Sequence, residues 1–342
     1  YNQTFTFRGG DLATWGERQP DGSTLDKTYT GGDRPSSVQQ VLTAGGIVTQ
    51  WADTFGYDLD GNRTGRDRRY QGVATPTRLE DFGYDLQGRL SKLSRGGTET
   101  LRYDALGALY AREKGTETVY YVGAGATVTV DALNTVKVEA HVLLAGARLA
   151  TVGTGRVLYY HRDRQGSVVA TTVARAQGDA FVPGILGASY RYRPYGELDR
   201  VDNENAETAS DLGYTGGLRL TGGLVYLGAR VYDPEVGKWL QADTEDAQRY
   251  AYAGGDPVNL IDPSGRLSVS FYIDGLYMGE NVSVPLWALN DGSWKKGEPS
   301  VAYFSWPVKA TIRNTYTNET VTIYQFGLPT VGDVARHFTG LP

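Results

Sequence analysis

A short motif that recurs along the first third of the chain constrains its fold more than any other feature. In each copy a large apolar residue and a tyrosine alternate, an aspartate follows the tyrosine, and a glycine comes four residues after the tyrosine. The copies occupy residues 55–61, 82–88 and 101–107. Alternation predicts a strand, aspartate side chains cap tight turns, and glycine accepts the positive φ that such turns require. The motif therefore predicts a β-hairpin element.

The copies recur at intervals of roughly 20 to 30 residues, which is typical of a stacked supersecondary unit. A single hairpin is at best marginally stable in water, so neighbouring units must pack together. The composition agrees, because 45 glycines suit many turns and 24 tyrosines suit half-buried strands. Helical periodicity is weak nearly everywhere. We therefore expect an all-β fold built from many short strands.

Charge and composition exclude several function classes. The formal net charge is −5, and the chain as a whole has no basic footprint for nucleic acid. The nearest candidate is the arginine cluster Arg63, Arg66, Arg68 and Arg69. Asp60 and Asp67 accompany it, which favours a solvated strand face over a nucleic-acid site. No cysteine is available for disulfides or thiolate chemistry, and no apolar run is long enough to span a membrane.

The segment 159–266 contains a series of short motifs: YYHRDRQGS (159–167), YRPYGE (192–197), GYTG (213–216), TGGLVYLGARVYDP (221–234), GKWLQAD (237–243) and DPVNLIDPSG (256–265). In these motifs and in their order, the segment resembles the RHS-associated core that closes YD/RHS-repeat proteins. The resemblance covers roughly residues 50–266, because the three repeated motifs are similar to the YD repeats of the same family.

The resemblance implies a spiralling strip of YD-repeat β-hairpins that forms part of a hollow shell. It divides the chain into YD/RHS repeats (1–158), an inward-curling core that plugs the shell (159–266) and a variable β-rich module or start of cargo (267–342). Such shells enclose a C-terminal toxin or effector, as in polymorphic toxins and the C component of Tc toxins. The chain begins in strand-like sequence without an initiator methionine, so we expect a piece of a longer protein.

The resemblance also implies partners and a location. The expected partners are the protein's own C-terminal cargo segment and a secretion or toxin-delivery complex. The expected location is outside a bacterial cell or on its surface. No cofactor, metal or nucleic acid is expected. The alternative is a cell-surface adhesion protein that binds carbohydrate, because tyrosine and tryptophan faces can stack on sugars.

Many members of the family cut themselves just after the terminal Asp-Pro-x-Gly-Leu element. The resemblance carries this role to Asp243 and Asp262, with the cut after Arg266. Two carboxylates held close together share one proton, so one acts as base and the other as acid. The sequence departs from the family where Thr244 follows Asp243 and where Arg266 replaces leucine. The alternative is that residues 262–265 form only a tight turn, which Asp-Pro-Ser-Gly suits.

Other candidate sites have less support. Asp58, Asp60 and Asn62 mimic the start of a calcium loop, but arginines stand where that loop needs Gly and Glu, so we expect no calcium site. The three histidines, His141, His161 and His337, are far apart in sequence, and we interpret His161 and Asp163 as structural. The tail has strand-like runs at 268–277, 302–306, 308–313 and 319–326. It is either the start of a toxin or a small β module, and no catalytic constellation supports a hydrolase there.

Overall fold

The computed structural model describes residues 2–8, 11–19, 21–144, 146–177, 180–243, 249–262, 265, 269–273, 276–277, 308–314 and 320–325. Strands dominate these ranges, and their only helical elements are three 3₁₀ turns of three or four residues. The prediction of an all-β fold is confirmed.

One sheet of eighteen strands contains most of the described strands. Each strand pairs antiparallel with the next one in sequence, from β1–β2 to β17–β18. The strands are β1 Asn2–Arg8, β2 Asp11–Arg18, β3 Thr24–Thr30, β4 Ser37–Ala44, β5 Ile47–Tyr57, β6 Arg63–Tyr70, β7 Thr77–Tyr84, β8 Leu90–Ser94, β9 Thr98–Tyr103, β10 Leu109–Lys114, β11 Glu117–Val122, β12 Ala126–Val130, β13 Val136–Leu144, β14 Ala147–Gly153, β15 Arg156–Arg162, β16 Val168–Gln177, β17 Ala180–Tyr192 and β18 Leu198–Asp202.

The repeated motif forms the predicted capped turn between strands. One carboxylate oxygen of Asp58, Asp85 and Asp104 accepts the backbone N–H four residues later, at 2.7, 3.0 and 2.9 Å. The glycines three residues after each aspartate have φ values of 90°, 73° and 88°. The same turn recurs at Asp131 and Asp163, which were not recognised as repeats. The chain therefore contains more copies than its sequence suggested.

The motif tyrosines connect each unit to an earlier one. The hydroxyl of Tyr84 donates to the carbonyl of Arg63 at 2.6 Å, and that of Tyr103 donates to Leu90 at 2.8 Å. Each acceptor lies five residues after the aspartate of the preceding turn. Tyr192 makes the equivalent bond to Val168 at 3.0 Å. These bonds explain why a tyrosine occupies this position, since its ring packs while its hydroxyl satisfies a backbone carbonyl.

The core segment forms a small second sheet that packs on the large one. Its strands are β19 Leu218–Arg219, β20 Val225–Leu227, β21 Arg230–Asp233 and β22 Lys238–Trp239. Buried apolar residues of both sheets form one cluster: Phe82, Leu90, Leu93 and Leu101 from the large sheet, with Leu218, Leu220, Leu224, Val231 and Leu240 from the core. A second cluster is rich in aromatic side chains and includes Tyr214, Tyr232, Trp239 and Tyr252.

The large sheet wraps around this core. Its early, middle and late strands all contact residues 211–250, for example through Lys27 to the carbonyl of Glu235, Arg63 to Asp233, and the N–H of Val168 to Gly213. In a flat sheet β3 and β16 would lie about 60 Å apart, given the usual spacing of about 4.8 Å between strands. The sheet must therefore curl for both to contact one short segment, and the core plugs the space that it encloses.

A third sheet of four strands lies in the tail. Its strands are β23 Val269–Ile273, β24 Leu276–Tyr277, β25 Val308–Asn314 and β26 Thr320–Gln325, in the order β24-β23-β25-β26. Three of the four strand-like runs of the tail are thus confirmed as strands. The fourth, 302–306, lies outside the described residues. The division of the chain into three domains stays a prediction.

Candidate functional site

Asp243 and Asp262, nineteen positions apart in sequence, both contact the guanidinium of Arg230. Asp243 Oδ2 lies 3.0 Å from Nη1, and Asp262 Oδ2 lies 3.4 Å from Nη2. Arg230 begins β21, directly after the tight turn at Gly228, which has a φ of 71°. The structure therefore brings the two predicted aspartates to one place, around a cation that the sequence had not singled out.

The guanidinium of Arg230 is fixed on several sides. Its centre lies 4.2 Å from the ring of Trp239, and Nε donates to the carbonyl oxygen of Gly265. Arg230, Trp239 and Asp262 are all buried. Arginine keeps its charge and offers five donors in a planar fork, so one side chain can bind two carboxylates and a carbonyl together.

Gly265 fixes the chain immediately before the expected cut. Its φ is 69°, and a Cβ placed on it would lie 2.5 Å from the carbonyl oxygen of Leu227 and 3.0 Å from the nitrogen of Arg230. Only glycine fits such a position without displacing backbone. The carbonyl that Arg230 holds thus belongs to the residue just before Arg266. Arg266 and the expected cut itself lie outside the described residues.

Backbone contacts hold both aspartates in place. The N–H of Asp243 donates to the carbonyl of Arg249 at 2.8 Å, and Nε of Arg249 donates to the carbonyl of Asp243 at 2.7 Å. The N–H of Asp262 donates to the hydroxyl oxygen of Tyr252 at 3.5 Å. Tyr252 is fully buried, and this burial raises the pKa of its phenol, so the hydroxyl stays neutral.

The arrangement has the parts needed for hydrolysis of a nearby peptide bond. A carboxylate can take a proton from water, and a guanidinium can stabilise the negative charge that develops on a carbonyl oxygen. The expectation of two aspartates that share a proton stays a prediction, and the structure adds a cation that contacts both. Arg230 lies in the TGGLVYLGARVYDP stretch, but nothing in that stretch alone distinguishes it from the other arginines of the chain.

A second charged cluster joins the core to the large sheet. Arg63 contacts Asp233, and its Nη2 lies 3.1 Å from Glu80; Arg95 Nη1 lies 2.9 Å from Asp233 and Arg66 Nη1 lies 2.9 Å from Glu235. We call this the core–sheet ion cluster: Arg63, Arg66, Arg68 and Arg95 with Asp53, Glu80, Asp233 and Glu235.

The interpretation of the arginine cluster as a solvated strand face was wrong. Arg63 and Arg66 are buried and Arg68 is largely covered, while only Arg69 is exposed. The strand alternation points Arg66 and Arg68 to the inner face, where Glu235 covers them. The acidic partners Asp233 and Glu235 stand about 170 positions later in the sequence, so local sequence could not reveal them.

The arginines of this cluster keep Asp233 and Glu235 charged. Burial alone would raise the pKa of Asp233, but the positive charges of Arg95, Arg63 and Arg66 outweigh it and hold that pKa well below its ordinary value. For Glu235, burial is likewise outweighed by Arg95 and Arg66, and its pKa falls to about 2. The contact between core and sheet is therefore ionic across the physiological pH range.

Two cavities lie between the large sheet and the core. One of about 760 Å³ is lined by hairpin glycines and by Tyr192, Tyr214 and Arg219. Another of about 540 Å³ is lined mainly by polar and aromatic side chains of β11–β15, such as Tyr121, His141 and Tyr160. Within the part of the chain that the structure describes, no group of three or more His, Asp or Glu side chains could hold a metal ion.

No family model matches the chain. It is 26% identical over 279 residues to the tRNA nuclease WapA of Bacillus subtilis and, with the same figures, to the tRNA3(Ser)-specific nuclease WapA of Bacillus spizizenii; the match covers 73% of this chain and 11% of each relative. Salivary gland surface protein 1 of Aedes aegypti is 35% identical over 124 residues, 34% of this chain and 4% of that protein.

Among solved structures, a TcdB2-TccC3-Cdc42 complex matches with a TM-score of 0.46 and 16% identity, over 77% of this chain and 17% of that chain. Compared with the relatives found by sequence, the chain spans only about a tenth, or less, of their length. The sequence similarity to the two WapA nucleases extends over about three quarters of this chain.

Proposed function

We propose that this chain is the closing segment of a secreted bacterial RHS-repeat shell that encloses a C-terminal toxin or effector and cuts itself after Arg266. One observation carries the proposal: Arg230 joins Asp243, Asp262 and the carbonyl of Gly265 in one largely buried cluster. In this proposal residues 1–158 are shell, 159–266 are the core, and 267–342 are a β-rich module or the start of the cargo.

The proposed reaction is hydrolysis of the Arg266–Leu267 peptide bond. One carboxylate of the pair takes a proton from water, and the resulting hydroxide adds to the carbonyl carbon of Arg266. In this proposal the positive charge of Arg230 offsets part of the negative charge that forms on that oxygen. The other carboxyl group gives a proton to the nitrogen of Leu267 as the carbon–nitrogen bond breaks. One water is consumed, and the products are a carboxylate at Arg266 and an amine at Leu267.

Enclosure is supported by the way the sheet curls around the core. The cavities of about 760 and 540 Å³ are the size of small-molecule pockets, so in this proposal the curled strip is one part of the wall of a larger shell. Similarity to the nucleases named WapA agrees with a toxin carried by a related shell. The cargo and a secretion or delivery complex are the proposed partners. In the part of the chain that the structure describes, we find no helical segment that could span a lipid bilayer.

The second candidate is a cell-surface protein that binds carbohydrate without cutting itself. Its support is the partial similarity to an insect salivary gland surface protein and the exposure of Tyr110, Tyr120 and Tyr159. Binding of glycans to the intact chain, lost when these tyrosines are replaced by serine, is the result expected of this candidate. The burial of Tyr160 and Tyr214 in the interior favours the shell instead.

The test is the intact mass of the purified chain, whose uncut mass is 37.2 kDa. We expect the wild-type protein to separate into residues 1–266 and 267–342 under denaturing conditions, and Asp262→Asn and Asp243→Asn to stay whole. Asp256→Asn is the matched control, because Asp256 also precedes a proline in the same loop but is exposed and bonds Asn259. A whole wild-type chain, or equal cutting in all variants, contradicts the proposal.

A further inference from the structure

The outer face of β11–β15 is apolar, although its inner face is polar. Strand register shows the division. One cross-strand row, formed by Val119, Thr129 and Lys137, lines the inner cavity. Residues two positions away on the same strands also line this cavity. The residues between them point outward. They form rows such as Tyr120–Val128–Val138 and Val142–Ala150–Tyr159.

Most of these outward side chains are exposed, although the small side chain of Ala150 is buried. Nine large apolar side chains at outward positions of β11–β15 are between 37% and 59% exposed, with the largest values at Val122, Val136 and Val138. Side chains of this number and exposure present on the order of 800 Å² of apolar surface, more than the roughly 300–600 Å² of the largest patch on a typical monomer. We call this surface the outer β11–β15 patch.

The same sheet has a polar outer face elsewhere. Across β3–β6 the outward row is Thr28–Gln39–Ala52–Arg69, and the next outward row is Thr30–Ser37–Thr54–Asp67. The apolar outer surface is therefore not a general property of these repeats. Among the described strands, exposed apolar side chains such as Ile47, Val48 and Leu186 also occur elsewhere, but they form adjoining rows across β11–β15, which indicates a local role in contact with another surface.

The area of the patch and its lack of charge favour a second copy of the same patch as the partner. A standard-size interface takes about 800 Å² from each protein, which the patch can supply. No Asp, Glu, Lys or Arg occupies the outward rows from Thr118 to Tyr159 in β11–β15. Two copies of such a face can meet about a two-fold axis without bringing like charges together. Packed sheets lie face to face in this way in β-sandwiches.

We propose that the outer β11–β15 patch is a dimer interface, and that its partner is the same patch of a second copy of this chain. The interface does not depend on the self-cleavage proposed above, because Arg230 and the two aspartates lie in the core, inside the curled sheet. Two shells would then associate through their outer walls while each keeps its own interior.

The test is sedimentation velocity of the full 342-residue chain across micromolar concentrations. We expect a dimer for the wild type and at least about a tenfold weaker association for Val138→Lys, because a charge at the centre of the patch faces its own copy. Tyr159→Lys, on a different strand of the patch, is a second variant with the same expectation. Gln39→Lys is the matched control on the polar outer face and should stay dimeric.

Circular dichroism establishes whether each variant is folded. We expect all three to fold, because the three substituted positions are exposed. A wild-type chain that stays monomeric overturns the proposal. That remains so if the chain binds phosphatidylcholine vesicles in a flotation assay, or binds another protein. A folded Val138→Lys and Tyr159→Lys pair that dimerise as tightly as the wild type also overturns it. Loss of association in both, with Gln39→Lys unchanged, supports it.

Discussion

Gly265 combines two constraints at a single residue: a positive φ and backbone atoms close to the place where a Cβ would lie. Its carbonyl is bound by Arg230, so any displacement of Gly265 moves the peptide next to the expected cut relative to both aspartates. Hydrolysis rates fall steeply when reacting groups are misplaced by about 1 Å. The glycine is therefore as important to the candidate site as the charged side chains.

We predict that Gly265→Ala abolishes cutting after Arg266 while the protein stays folded. The methyl group would clash with the carbonyl of Leu227 and shift the chain away from Arg230. Gly123→Ala is the control, because Gly123 also has a positive φ, of 58°, but has open space around its Cβ position. Intact-mass spectrometry measures both. Normal cutting by Gly265→Ala would show that this contact is not needed.

The residues of the candidate site were only partly predictable. Asp243 and Asp262 could be named from a resemblance of motifs, and the structure brings them together. Arg230 could not be named, since a guanidinium between two carboxylates is a property of the folded core. The core–sheet ion cluster was misinterpreted for the same reason, because the acidic partners of Arg63 and Arg66 include residues far along the chain.

At the scale of the strand and turn, the sequence was more informative. A capped turn needs only five or six neighbouring residues, so Asp58, Asp85 and Asp104 could be recognised directly. Asp131 was missed because Asn134, with a φ of 59°, takes the place of the glycine. The hydrogen bond from each motif tyrosine to an earlier unit depends on how the hairpin units stack on one another. The local sequence pattern does not predict that stacking.

We predict that Tyr84→Phe destabilises the chain by about 1 kcal/mol, the usual net contribution of a hydrogen bond. The change leaves the ring in place but removes the donor to the carbonyl of Arg63, which then lacks that partner. Tyr110→Phe, at an exposed tyrosine of β10, should change stability by less than about 0.5 kcal/mol. Urea denaturation measures both. Equal effects would mean that the motif hydroxyl does not connect the units.

Across the molecule, the core–sheet ion cluster connects the core to the large sheet. Its arginines and carboxylates pair with one another in a buried position, so removing one partner leaves a buried charge without compensation. The cost of breaking a buried pair in this way is about 3–5 kcal/mol. The cluster therefore makes the position of the core depend on a few residues of β6–β8 and on the Asp233–Glu235 turn.

We predict that Asp233→Asn destabilises the chain by about 3–5 kcal/mol, because Arg63 and Arg95 lose their shared partner. Asp67→Asn is the control, since Asp67 pairs with Arg78 at the surface and should matter by less than about 1 kcal/mol. Chemical denaturation followed by tryptophan fluorescence reports both. A similar small effect for the two variants would contradict a structural role for the cluster.

The same cluster predicts how stability depends on pH. The ordinary pKa of a glutamate is 4.5, and that of Glu235 in the fold is about 2; the pKa of Asp233 is also lowered. Groups with a lowered pKa stabilise the fold above their ordinary pKa and lose that effect as pH falls towards the folded value. Stability from this cluster should therefore be constant from about pH 7 to about 5 and fall below about 4.5. In Asp233→Asn this fall should be smaller, as urea midpoints across pH would show.

Self-cleavage is tested most directly by the N-terminal sequence of any fragment that the purified wild-type chain releases under denaturing conditions. Cutting after Arg266 predicts one new N-terminus, at Leu267, and its absence from Asp262→Asn. That result would establish a shell that separates itself from the residues C-terminal to Arg266. A new N-terminus at another position, or a chain that remains whole in every preparation, would contradict the assignment of Asp243, Arg230 and Asp262 as a self-cleavage site.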